Sequence, residues 1–223
     1  MMGCIDRAIV RMTKRLSRKG LYEFLANEYS KIPQGAHVLT VGAGGDVNDL
    51  LRKHANRQDF HVLSLDVDPS RKPDTVGDIC DPDFGDRKFD VIVMSEVLEH
   101  VHSPHLALRN VHEVLKEGGV LVLTVPFMLP AHDRPHDYYR FTIHGLELLL
   151  QDFRDVTIRE RNSYFEAIDV MWARLWQTKV KAARLLCYVV VPFLILKSPL
   201  TRLLSSLIKT DAMTTGYVAT ARK

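Results

Sequence analysis

Cysteine is scarce in this chain: among 223 residues only Cys4, Cys80 and Cys187 occur. An odd count at wide spacing excludes a disulfide framework or a zinc ribbon, and reads as reduced thiols of a cytosolic kind. No apolar run reaches the roughly 20 residues a membrane-spanning helix needs; residues 185–196, "LLCYVVVPFLIL", stop at twelve and include Pro192. The first twenty residues are basic and amphipathic, without the apolar core and small-residue cleavage site of a secretory signal. "MMGC" places glycine third, so the myristoylation pattern is absent. A cytoplasmic protein is expected. Internal repeats and low-complexity tracts are also missing.

Acids are absent between Asp169 and Asp211, where Arg174, Lys179, Lys181, Arg184, Lys197, Arg202 and Lys209 supply seven cations. The whole chain carries only +3, so the remainder is net acidic. The N-terminus repeats the bias, with Arg7, Arg11, Lys14, Arg15, Arg18 and Lys19 against Asp6 alone. These cations stand among aliphatic side chains rather than interleaved aromatics, which argues against a nucleic-acid groove.

What remains is a globular composition, 46% hydrophobic and 26% charged. From about residue 36, short β-type runs alternate with helical patterns, the signature of a parallel α/β sheet. Strands are expected at 37–41, 61–67, 75–79, 89–95, 120–126, 153–160 and 216–223. The helix opening at Ser103 and Pro104 should run to Gly118, and Thr142 is a plausible cap for another. Four segments follow: basic amphipathic helices over 1–34, an α/β core over 35–160, a basic apolar insertion over 161–215 and a final strand over 216–223. The insertion has two readings, contact with an anionic membrane surface or a hydrophobic interface such as a homodimer's.

The stretch "VLTVGAGGDVNDLL" is a strand, a glycine-rich turn and a helix, a device that brings backbone close to a nucleotide. Gly42 and Gly44 leave room for that approach. Asp66 closes the second strand, where a carboxylate can accept from both ribose hydroxyls. The third glycine of a dinucleotide fingerprint would fall at Val47, which disfavours a nicotinamide-dependent oxidoreductase.

With "VGDICDPDFGDRKFDVIVMSEVLEHV" and "LKEGGVLVLTVP" following in order, residues 35–160 and the final strand resemble the class I S-adenosylmethionine-dependent methyltransferases. The resemblance implies a Rossmann-like, mainly parallel seven-stranded sheet with helices on both faces. It also implies S-adenosylmethionine as cofactor: Gly42, Ala43 and Gly44 under its methionine moiety, Asp66 and Val67 at the ribose, Asp78 and Ile79 at the adenine, Ser95 and Glu96 bordering the methyl group. Two positions depart from the pattern, Thr40 where an acid is common and Asp46 where a third glycine is. They leave open a non-catalytic scaffold on the same fold.

After the fifth strand comes "AHDRPHDYYRFT". His132 and His136 are four apart, but Pro135 removes the helical geometry that would pair them on a metal, so no metal is expected. In an open α/β sheet this position faces the ligand cleft. His136 or His132 is the expected general base, with His100 of "LEHV" a weaker candidate, Asp137 orients an imidazole, and Tyr138, Tyr139 and Arg140 shape the acceptor pocket. The alternative is that these groups only tie the loop to the sheet. "PHDYYRFT" also resembles bacterial methyltransferases associated with cell-envelope polysaccharide and glycolipid biosynthesis. That likeness implies only a substrate neighbourhood, a small-molecule, glycan or lipid-linked acceptor; methyl-transfer chemistry suits a hydroxyl or amine, and the basic apolar insertion suggests that it is met in the cytoplasm or at the inner face of the membrane.

Overall fold

The structure, a computed structural model, describes residues 3–178 and 180–223, apart from the side chain of Cys4. Lys179, one of the seven cations above, lies outside the described residues. The chain forms α1 (Cys4–Tyr29), β1 (His37–Val41), α2 (Gly45–Gln58), β2 (His61–Asp66), β3 (Thr75–Val76), β4 (Phe89–Ser95), α3 (Pro104–Val114), β5 (Leu115–Pro126), α4 (Ile143–Leu149), β6 (Arg154–Glu160), α5 (Tyr164–Arg174), α6 (Lys181–Leu196), α7 (Ser198–Leu207) and β7 (Gly216–Arg222). The N-terminal segment is thus one 26-residue helix rather than several.

The seven strands make one sheet in the order β3-β2-β1-β4-β5-β7-β6, with helices on both faces. Strands β1 to β5 pair in parallel. Strand β7 runs against β5: the Phe127 N–H donates to the Thr215 carbonyl at one end, and Gly118 bonds Lys223 at the other. The central strands are buried on both faces, as their β-branched and aliphatic runs require: Val38, Leu39, Ile92, Met94, Leu121 and Leu123 are each 1% exposed or less. The chain order reverses between β1 and β4, and such a switch opens a crevice at the carboxyl ends of the strands.

Three local expectations are revised. Helix α3 stops at Val114 instead of reaching Gly118, because the fully buried Leu115 is taken into the sheet opposite Phe89. Residues 116–119 are absorbed by a register shift before Val120 meets Val91. Ser103 does not cap α3 with its side chain; its hydroxyl bonds His102 Nδ1 instead. Strand β3 ends at Val76, so Asp78 lies in the loop beyond it. Thr142 does cap α4, accepting from the Gly145 N–H.

The chain divides into two compact units. One comprises residues 23–126, 131–159 and 217–223 and holds nearly all of the sheet. The other comprises residues 1–22, 127–130 and 160–216. In this helical unit Ile9 of α1 packs with Ala173, Trp176, Cys187, Val191 and Leu194. The apolar run of α6 therefore has two faces. Cys187, Val191 and Leu194 are buried at helical spacing, each large aliphatic contributing about 1.5–3 kcal/mol, whereas Leu185, Val189, Phe193 and Leu196 point outward, 58–79% exposed. At the bend into α7, the buried Asp169 of α5 receives Lys197 Nζ at 2.5 Å and the Thr201 hydroxyl at 2.9 Å.

Candidate functional site

The crevice is a cleft of about 510 Å³ in the sheet-bearing unit, within the usual range for ligand pockets, with walls from the ends of β1, β2 and β4 and from the loop after β5. Gly42, Asp66, Val67, Asp78, Ile79 and Glu96 line it, as do His136 and Tyr138. Ala43, Gly44, Ser95, His132, Asp137, Tyr139 and Arg140 are not among its lining residues. Arg71, Val97, His102 and Asp133 line it although no motif in the sequence marks them, and His100, the weaker candidate for the base, lines it as well.

Glycine is required at residue 42 on two grounds. Its φ is +92°, and a Cβ there would stand 2.8 Å from Val97 Cγ2. At Gly44 the backbone is extended and a Cβ would meet only the Arg71 side chain at ordinary contact, so the second left-handed glycine of the turn is Gly45, φ +79°. Asp66 is 7% exposed. One carboxylate oxygen accepts the Ala43 N–H at 2.7 Å and the other the Asp68 N–H at 2.9 Å, with Arg71 Nη1 3.6 Å away. A carboxylate has about four acceptor sites, so two remain for a diol in the cleft. Val67, 66% exposed, and Ile79 offer apolar surface beside it. The Asp78 carboxylate accepts the Cys80 N–H at 2.9 Å.

At the end of β4 the Ser95 and Thr124 hydroxyls bond at 2.8 Å, and Thr124 donates to Glu96 at 3.1 Å. Glu96 adopts φ +55°, a left-handed conformation that non-glycine residues hold mainly where the surroundings enforce it. The backbone thereby turns the Glu96 side of the loop into the cleft.

Residues 131–142 are held largely by their own polar groups. Arg140 bonds Asp137 through both terminal nitrogens, at 2.6 and 2.8 Å. That contact, with the His132 N–H, outweighs burial and holds the Asp137 carboxyl down to about 2. Asp137 Oδ2 also lies 3.6 Å from His132 Nδ1. Burial pushes the His132 imidazole below its ordinary value despite that neighbouring carboxylate. The Glu99 carbonyl accepts from the Tyr138 and Tyr139 N–H groups, and the Tyr139 hydroxyl donates to the His102 carbonyl at 2.9 Å. So Tyr139 and Arg140, expected in the acceptor pocket, serve the loop, while His136 faces the cleft with Nδ1 2.8 Å from the Tyr138 hydroxyl.

His132 does not pair with His136. Its Nε2 lies 3.8 Å from Glu99 Oε1, and His100 Nε2 lies 3.6 Å from the same oxygen. Glu99 is fully buried, and no local pattern in the sequence marks it as a partner of these histidines.

A mainly parallel sheet that reverses at β1/β4, a left-handed glycine turn and a strand-end acid facing the cleft define a Rossmann-like protein whose cleft suits an adenosyl ligand. A model of the methyltransferase domain family matches residues 11–188. A ubiquinone biosynthesis O-methyltransferase from Alkalilimnicola ehrlichii is 26% identical over 132 residues, 53% of this chain and 50% of that one. The chain spans about half the length of such curated relatives. Among solved structures, the fold is shared with a Haemonchus contortus phosphoethanolamine N-methyltransferase in complex with S-adenosyl-L-methionine (TM-score 0.61, 15% identity, covering 98% of this chain and 57% of that one). It is also shared with a SAM-dependent methyltransferase from Archaeoglobus fulgidus (0.58, 14%, covering 93% and 95%). The chain belongs to the methyltransferase domain family, of the class I kind, and its cofactor is S-adenosylmethionine.

Proposed function

We propose that the protein transfers a methyl group from S-adenosylmethionine to a hydroxyl or amine of a small-molecule, glycan or lipid-linked acceptor. The observation that carries this reading is a single cleft lined at one side by Gly42, Asp66, Val67 and Ile79 and at another by His100, His136 and Tyr138. The first group suits the adenosyl end; the second supplies polar side chains where an acceptor would stand. The bound cofactor supplies an electrophilic sulfonium methyl. The chain's part is alignment of the acceptor and acceptance of its proton. His136 is the nearest suited group, since it faces the cleft and its Nδ1 is engaged by Tyr138. Tyr138, 47% exposed, would bound the acceptor beside it.

The proposal extends to place. Among the described residues no single helix is long and apolar enough to cross a membrane, while α6 and α7 form an apolar pair bent by 57°. Leu185, Val189, Phe193, Leu196, Leu200, Leu203 and Leu207 are all more than half exposed on that pair, and the exposed Arg184 and Arg202 lie along it. Such a face fits peripheral attachment to the anionic inner surface of a cell membrane, and with it a lipid-linked, envelope-related acceptor; the "PHDYYRFT" likeness supports the same neighbourhood.

Calorimetry of S-adenosylmethionine binding, with radiolabelled methyl transfer into lipid and glycan extracts, tests the reaction. Cofactor binding without label in any extract would leave a scaffold and overturn catalysis. Co-sedimentation with vesicles of phosphatidylglycerol at low salt tests the place; a protein that stays in the supernatant as a dimer would overturn it.

A further inference from the structure

We propose that Glu99, His100 and His132 form a divalent transition-metal site at the acceptor end of the cleft. The three side chains each offer one ligand atom, and all three atoms lie within 4.8 Å of one another. Glu99 Oε1 is 3.6 Å from His100 Nε2 and 3.8 Å from His132 Nε2. With the third separation at its 4.8 Å limit, a point equidistant from the three atoms is about 2.4 Å from each. A shift of a few tenths of an ångström brings that to the roughly 2.0–2.2 Å of zinc bonded to imidazole nitrogen and carboxylate oxygen.

Both imidazoles are oriented for this from their far side. His100 Nδ1 is 2.7 Å from the His136 carbonyl, an acceptor, so Nδ1 carries the hydrogen and Nε2 presents its lone pair toward Glu99. His132 Nδ1 faces the Asp137 carboxylate at 3.6 Å, itself fixed by Arg140, which again leaves Nε2 for the common point. A carbonyl or carboxylate behind each ring is the usual support for a ligating histidine. The rings meet edge to face, centroids 4.9 Å apart, so neither blocks the other's nitrogen. Glu99 is fully buried and the Arg140 guanidinium acts on it electrostatically, so its carboxylate stands charged beside the two imidazoles. Two histidines and one carboxylate select zinc, manganese, iron or cobalt over magnesium and calcium.

Three protein ligands leave the site open, the arrangement of a catalytic rather than a structural ion. The open side follows His100 and Asp133, both of which line the cleft. An acceptor hydroxyl coordinated there would ionise near neutral pH, its proton passing to His136, which lines the same cleft. Its oxygen then forms the new O–C bond as the C–S bond breaks with its electron pair going to sulfur. This chemistry rests on the methyl-transfer reading, whereas the geometry does not. The discounted pair His132 and His136 is replaced by one that brings a histidine from each of two loops.

The test uses the full chain, stripped with a chelator. Calorimetric titration with Zn2+ should show one tight site per chain, and Co2+ should develop the visible d–d bands of nitrogen and oxygen ligation. Glu99→Gln and His132→Gln should each weaken Zn2+ binding at least tenfold and abolish the Co2+ bands, and His144→Ala, at an 86% exposed side chain, should leave both intact. Retained S-adenosylmethionine binding certifies each variant's fold; if Glu99→Gln loses it, His132→Gln alone decides. Absence of a stoichiometric site in the wild-type chain, or Zn2+ binding unchanged in the folded variants, would overturn the proposal. Metal binding without cofactor binding would instead count against the function proposed above.

Discussion

Along residues 41–79, the acids of the cleft bond to backbone: Asp66 to the Ala43 and Asp68 N–H groups, Asp78 to that of Cys80. Along residues 131–142, side chains also bond to one another, Asp137 to Arg140 and His136 to Tyr138. The first wall is a property of strand ends and turns, so its shape follows from chain geometry. The loop is a property of pairings, so its chemistry can change with one side chain while the sheet stays as it is. One wall suits the cofactor, and the other is where the proposed acceptor would stand.

Substitutions should separate the two. The largest effect is expected from His136→Ala, with turnover falling about 10²-fold or more if the imidazole takes the acceptor's proton and cofactor affinity staying within about twofold. A loss under about tenfold would reduce His136 to a loop tether. Asp66→Ala should weaken S-adenosylmethionine binding by roughly 100-fold, since it removes charge-assisted acceptors to the ribose and two anchors of the turn; calorimetry showing equal affinity would break the division of labour. Arg140→Ala leaves the nearly buried Asp137 carboxylate without its guanidinium and should cost about 2 kcal/mol. Thermal denaturation would register that, with cofactor affinity unchanged because Arg140 does not line the cleft.

The smallest effect lies away from both walls. Burial alone would raise the Asp90 carboxyl, but the Lys116 ammonium and the His37 N–H hold it lower. A carboxyl depressed in the folded state contributes stability above its unfolded value of about 3.9, and that contribution fades as pH falls through the folded value. Asp90→Asn should therefore be less stable than the wild type near neutrality and indistinguishable from it in acid, by denaturant titration at several pH values.

Much of the cofactor wall was legible because its signals are local. A left-handed glycine between a strand and a helix, and an acid at the next strand's end, lie within a few residues of the geometry they impose. Gly45 was not legible because either of two adjacent glycines, Gly44 or Gly45, could take the second left-handed position, and only the backbone path selects one. Leu115 misled for a different reason. Helical spacing through "VHEVLKEGG" is a weak preference, and burial opposite Phe89 outweighed it.

By itself the sequence determined the alternation of strands and helices, the glycine turn, Asp66 at the mouth of the cleft and the want of a spanning helix. Each follows from periodicity or backbone restriction over a dozen residues or fewer. Only the tertiary structure decided which face of residues 185–196 is buried, that Asp137 answers Arg140 rather than the cleft, and that His132 meets Glu99 and His100. His132 lies more than thirty residues along the chain from Glu99 and His100, and no local preference reports a distance that only the packed sheet creates.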